Sequence, residues 1–233
     1  MEPRLKSRHG HFLMTPSNLA QWWFHVTDRY GRRQLIVALD VAAFGLIVML
    51  VDNWAAAGVA AVRDLSSALA HAIPSRIQLG WVFTTGMLAL VFYRMRSNDK
   101  IRADQGMFVL GCGAVGGFAA DLLKVIFGRA RPDSFAEVTF NFNFLHGGDG
   151  FDSLPSSHAA IAAALATGLS IIWPAHRRKY LVVAAVVAAS RCLDGAHYPS
   201  DAVLGFALGM GVAVGLQVVF CQCGMRVSKA QRR

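Results

Sequence analysis

Residues 181–201 read LVVAAVVAASRCLDGAHYPSD. An apolar run suited to lipid stops at Arg191, and the next ten residues hold two aspartates and a histidine. Charged groups are costly within a bilayer and mark function where they occur there. The run therefore reads as a membrane helix whose polar end carries chemistry. Five further stretches have a similar character. The six together fall at 34–51, 77–93, 105–127, 158–173, 180–197 and 201–220. A crossing helix needs about 20 mostly apolar residues. Composition agrees: the chain is 55% hydrophobic and only 16% charged, where a soluble domain carries about a quarter charged residues. The expected fold is an all-α integral membrane protein, a six transmembrane helix bundle.

The net charge of +9 does not imply a nucleic-acid partner. Four clusters, at 1–33, 94–102, 177–179 and 226–233, hold 17 of the 23 Lys and Arg residues. They fall at alternate span ends, so the positive-inside rule accounts for them if both termini are cytoplasmic. Residues 1–33 are then a basic leader whose WWF at 22–24 anchors at the interface, residues 34–220 the six-span unit, and 221–233 a basic tail. The leader and first apolar run are too long for a cleaved signal peptide. Residues 54–73 could be a further span, but Arg63 and Asp64 sit at their centre and an extra crossing would invert the charge pattern. They are expected as an external amphipathic helix ending at Pro74. The expected location is a bacterial inner membrane with a periplasmic site. The four cysteines make no disulfide framework and no metal set.

Three polar clusters reach the same external face under this topology. In KVIFGRARP, 124–132, Lys124 and Arg131 lie about two helical turns apart. In LPSSHAA, 154–160, Ser156 or Ser157 can cap a helix starting near His158, and a helix N-terminus attracts anions. In the third cluster Arg191 precedes His197 and Asp201, which share a face if the helix runs through both, so Asp201 could hold the imidazole in one tautomer. Three cations and several N–H donors make a receptor for phosphate. Phosphoryl transfer is catalysed largely by electrostatic stabilisation and positioning. One histidine can attack phosphorus while the other protonates the departing oxygen. His197 is the better nucleophile and His158, at the helix start, the better acid.

The clusters resemble the phosphatidic acid phosphatase type 2 superfamily. Its K-x6-R-P pattern is met by Lys124, Arg131 and Pro132, its P-S-G-H by Pro155, Ser156, Ser157 and His158, and its S-R-x5-H-x3-D by Ser190, Arg191, His197 and Asp201. Ser157 stands where the family has glycine, which leaves a backbone N–H in place. The resemblance implies a phosphohydrolase without metal or other cofactor, acting on a membrane lipid phosphate through a phosphohistidine. It implies that His197 attacks, Asp201 orients it and His158 protonates the leaving group. Lys124, Arg131, Ser156, Arg191 and the N–H of Ser157 would hold the phosphate. A lipid-to-lipid phosphotransferase using the same phosphoenzyme is the alternative. A non-catalytic transporter is disfavoured because the polar groups gather at one face and no repeat is visible.

Several residues outside these patterns carry plainer expectations. Arg129 reads as a rim cation facing headgroups or as a substrate contact, and Asp121 as an ion-pair partner of Lys124. His146 is a solvated loop residue or a rival acid. Asp40 suggests a hydrogen bond between helices. Phe140, Phe142 and Phe144 alternate as a short strand or a greasy rim. Gly209, Gly211 and Gly215 read as close helix packing.

Overall fold

The segment SHAAIAAALATGLSII organises the molecule. Its side chains are mostly small on every face, so neighbouring helices can approach it from all sides, and all of its residues except His158 and Ile161 are buried. An apolar surface all round is what a central helix requires. The computed structural model describes residues 29–52, 54, 57, 58, 92, 96, 99–132, 141–145, 148, 150–225 and 227. Five α-helices run through them: α1 (Arg29–Met49), α2 (Lys100–Phe127), α3 (Ser157–Ile172), α4 (Arg177–Leu193) and α5 (Pro199–Gln222), with a 3-10 turn at Pro174–His176 between α3 and α4. Helix α3 packs against α2, α4 and α5, and α1 lies on α5. Phe108, Val109 and Cys112 of α2 meet Leu165 and Leu169 of α3 in the largest apolar cluster.

Close approach of α5 to α3 depends on two missing side chains. A Cβ at Gly209 would lie 2.1 Å from the Ala160 carbonyl oxygen, and one at Gly205 2.5 Å from that of Ser156. Among the described residues a Cβ at Gly211 or Gly215 meets nothing within 4 Å, whereas Gly209 serves the packing as expected.

Five of the six apolar runs coincide with helices, and α2 and α5 are long and apolar enough to cross a membrane. Large apolar side chains point outward from these helices, among them Leu39 and Phe44 of α1 and Phe118 of α2. The run at 77–93, most of 54–73, the leader up to residue 28, residues 226 and 228–233, His146 and Phe140 lie outside the described residues. Asp40 is exposed and makes no hydrogen bond or ion pair among the described residues, and the run at 77–93, a candidate partner for the interhelical bond expected of it, lies outside them.

The ends of the helices place the site. Asp99 caps α2 by accepting from the Ile101 N–H at 3.0 Å. Gly128 ends it at φ 52°, where a Cβ would strike the Asn143 carbonyl. Beyond it, Arg129 and Phe142 form an isolated antiparallel bridge that folds the loop back on itself. No strand occurs among the described residues. Helix α4 stops at Leu193, four residues short of the expected 197, because Gly195 turns the chain at φ 74° and donates its N–H to the Cys192 carbonyl. Helix α5 begins at Pro199, which is suited to a first helical position. The C-terminal ends of α2 and α4 and the N-terminal ends of α3 and α5 thus share one end of the bundle.

Candidate active site

His197 lies in the short connection between α4 and α5 and is buried, 3% exposed. Its Nδ1 is 2.8 Å from the backbone carbonyl oxygen of Ser153. A carbonyl only accepts, so Nδ1 carries the proton and Nε2 keeps its lone pair. Burial, together with the charges of Lys124 and Arg131, pushes its pKa down to about 3. The imidazole is therefore a neutral base with one defined nucleophilic nitrogen.

Asp201 does something other than expected. His197 precedes α5, so the two residues do not share a helical face, and no hydrogen bond joins the carboxylate to the imidazole. Asp201 is fully buried. It accepts from the Tyr198 N–H at 3.0 Å, the Ser153 hydroxyl at 2.5 Å and Arg129 at 2.6 Å. The direct partner of His197 is the Ser153 carbonyl. Asp201 holds the other side of the same serine.

Arg129 is also corrected. It is neither a rim cation nor exposed to substrate: its side chain is fully buried. Its guanidinium bonds Asp52 at 2.9 Å, Asp201 at 2.6 Å and the Ser200 hydroxyl at 2.8 Å. It also stacks over the Tyr198 ring, 4.3 Å from the centroid. Asp52, just past α1, accepts from the Ser200 N–H at 3.0 Å and from the Ser200 hydroxyl. Phe142 stacks on Phe144 at 5.5 Å beside this cluster.

Three of the expected phosphate-binding groups are cations close enough to act on the histidines: Lys124, Arg131 and Arg191 lie within electrostatic reach of both His158 and His197. Lys124 pairs loosely with Asp121 at 3.8 Å, the partner expected for it. Arg131 is held in bidentate fashion by Asp152, at 2.5 and 2.6 Å. Burial raises the Asp152 carboxyl, but the hydrogen bond and charge of Arg131 and the charge of Lys124 outweigh it, so it sits below the usual carboxylate range. Arg191 donates to Asp194 at 2.8 Å. Ser156 is the N-cap of α3 by position, yet its hydroxyl makes no cap bond. The Ser157 hydroxyl instead donates to Asp121 at 2.6 Å. Among the described residues, two buried polar atoms at this site have no hydrogen-bond partner: the Ser156 Oγ and the Arg191 Nε. Such atoms are rare and call for a ligand or another explanation.

An apolar cavity of about 550 Å³ lies alongside, lined by Leu154 and Pro155 of the motif loop and by Leu39, Leu123, Phe127 and Leu204. No group of three or more His, Cys, Asp or Glu residues able to hold a metal occurs among the described residues.

Sequence reasoning missed Asp52, Asp152, Ser153 and Ser200. Asp152 and Ser153 stand just ahead of the LPSSH stretch, and that proximity was the available signal. Asp52 offered none: an aspartate after an apolar run looks like any loop charge.

A model of the PAP2 superfamily matches residues 105–223, which include all three motif clusters. A lipid A 1-phosphatase of Rhizobium johnstonii is 31% identical over 158 residues, covering 62% of this chain and 64% of that relative, so the match spans just under two thirds of the relative's length. A lipid A 1-phosphatase of Rhizobium etli is 28% identical over 204 residues, covering 82% of this chain and 85% of that one. The crystal structure of a transmembrane PAP2 type phosphatidylglycerolphosphate phosphatase from Bacillus subtilis aligns with a TM-score of 0.49 at 19% identity, covering 84% of this chain and 98% of that one. The family model spans half of the chain, and the chain belongs to the PAP2 superfamily, the family that its three motifs led one to expect.

Proposed function

We propose that this protein is a membrane lipid phosphatase that hydrolyses the phosphate of a lipid through a phosphohistidine at His197. The observation that carries the reading is the set of three cations around two histidines, with two buried donors, Ser156 Oγ and Arg191 Nε, left without partners among the described residues. A phosphate dianion satisfies both. Lys124, Arg131, Arg191, the Ser156 hydroxyl and the Ser157 N–H hold its oxygens. The Nε2 of His197 attacks phosphorus in line with the ester oxygen, the P–O bond to the lipid breaks, and His158 gives its proton to the departing oxygen. His158 then takes a proton from water as that water attacks the phosphohistidine. The P–N bond breaks, inorganic phosphate leaves, and both imidazoles return to their starting state. The cations neutralise the charge that spreads over the equatorial oxygens, the task a metal performs elsewhere.

The substrate keeps an acyl chain in lipid, and the apolar cavity beside Pro155 suits such a chain. The relatives are named for lipid A 1-phosphate, so a glycolipid phosphate of that kind is the first substrate to test. In this reading six helices cross a bacterial inner membrane, the site faces the periplasm and both termini are cytoplasmic. The helix content, the charge clusters and the shared end of the bundle support it.

The test is phosphate release by the full chain in detergent. The panel holds a lipid A 1-phosphate, phosphatidate, phosphatidylglycerol phosphate and a polyprenyl diphosphate, each assayed with and without EDTA. Release from the lipid A phosphate should survive EDTA and vanish in His197→Gln. Loss in EDTA restored by Mg²⁺, or turnover retained by His197→Gln, would contradict the proposal. Label appearing on a second lipid instead of in free phosphate would identify the phosphotransferase.

A further inference from the structure

Five residues run in series from the end of α1 to the reactive imidazole: Asp52, Arg129, Asp201, Ser153 and His197. Four of them are fully buried and the last is 3% exposed. The links measure 2.9 Å from Arg129 to Asp52, 2.6 Å from Arg129 to Asp201, 2.5 Å from the Ser153 hydroxyl to Asp201 and 2.8 Å from the Ser153 carbonyl to His197. Ser153 is fixed from a third side as well, since its N–H donates to the Arg129 carbonyl at 3.0 Å. We infer that Asp52, Arg129 and Ser153 are positioning residues for the nucleophile, and that Asp201 acts on the Nδ1 side of the His197 imidazole through Ser153.

The chemistry of the chain supports this division of labour. One guanidinium bridges two buried carboxyl groups, and a carboxylate left without its partner in such a place is costly. Arg129 satisfies both carboxylates in one rigid plane, which lysine's single ammonium cannot do. The fork therefore sets the distance between the end of α1 and the first turn of α5. Asp201, fixed in that turn, holds the Ser153 hydroxyl, and the serine's main chain presents a carbonyl to Nδ1. A carbonyl acceptor fixes the tautomer as a carboxylate would, but places no charge against the imidazole. The path also makes α1, which contributes no group to phosphate binding, part of the geometry of the reaction.

The inference rests on the phosphohistidine reading, and its test separates the two. Ser153→Ala keeps the carbonyl and removes the hydroxyl that Asp201 holds. The full chain in detergent should then lose about 10–100-fold in kcat, the range typical for groups that orient a reacting ligand, with KM within about twofold. Ser153→Thr, which restores a hydroxyl, should recover most of the loss. Asp201→Asn should cost far less in the Ser153→Ala background than in the parent, because both changes cut one path. Arg129→Lys should mimic the Ser153→Ala kinetics and supplies the comparison if Asp201→Asn does not yield folded protein by size-exclusion chromatography. Ser153→Ala with unchanged kcat, or Asp201→Asn costing the same in both backgrounds, would overturn the inference. Either result beside an inactive His197→Gln leaves the phosphohistidine standing. An active His197→Gln removes that reading instead.

Discussion

At the scale of single residues, the catalytic argument turns on a protonation state. His197 is buried among Lys124, Arg131 and Arg191, and its pKa falls to about 3. A base with a lowered pKa stays neutral as pH drops and is lost only when pH approaches the lowered value. The acid limb of kcat/KM, which reports the free enzyme, should therefore have its midpoint below pH 5 once the ionisation of the substrate itself is allowed for. Arg131→Gln removes a neighbouring positive charge, so it should move that limb upward. An acid limb centred near histidine's ordinary 6.5 in the parent enzyme would contradict the burial and charge argument. Which residues make up the site was legible in the sequence: Lys124, Ser156, His158, Arg191, His197 and Asp201 stand in three spaced patterns. Their partners were not. The acceptor for His197 is a main-chain oxygen of Ser153, and any residue type supplies one. The role of Arg129 was hidden because its two carboxylates are 77 and 72 residues away in the chain.

At the scale of elements, the site is a product of how α3 and α5 meet. The N-terminal end of each carries one histidine cluster, and their separation is set by Gly205 and Gly209 against the α3 backbone. A side chain at Gly209 must displace main chain, since its Cβ would sit 2.1 Å from a carbonyl oxygen. Gly209→Val should lower stability by about 1–3 kcal/mol, the usual range for overpacking, and reduce activity by separating the clusters. Gly215→Ala has open space among the described residues and should leave both unchanged. Thermal unfolding in detergent reads the difference; equal midpoints for the two variants would contradict the packing. Small residues on α3 and α5 were visible as a helix-packing signal, but a bare glycine does not say whether it faces a neighbour. Helix limits were the weakest part of the sequence reading. The run at 180–197 looked continuous, yet Gly195 closes α4 and Pro199 opens α5, which frees His197 from both helices.

At the scale of the whole molecule, the apolar runs and basic clusters revealed a membrane-type helical chain, and the motif order revealed its family before any fold was known. Composition could do this because lipid imposes long apolar helices with charge at their ends. It could not reveal that the end of α1 is tied by Asp52 to the first turn of α5, because that contact joins residues 148 apart. The central claim is that phosphate passes through the Nε2 of His197. The most direct measurement traps the enzyme with a ³²P-labelled lipid phosphate by rapid acid-free quench and maps the label by peptide mass spectrometry. Label on His197, stable in base and released in acid, with none in His197→Gln, is the result predicted. Label on His158, or rapid turnover with no protein-bound phosphate on the millisecond timescale, would contradict it.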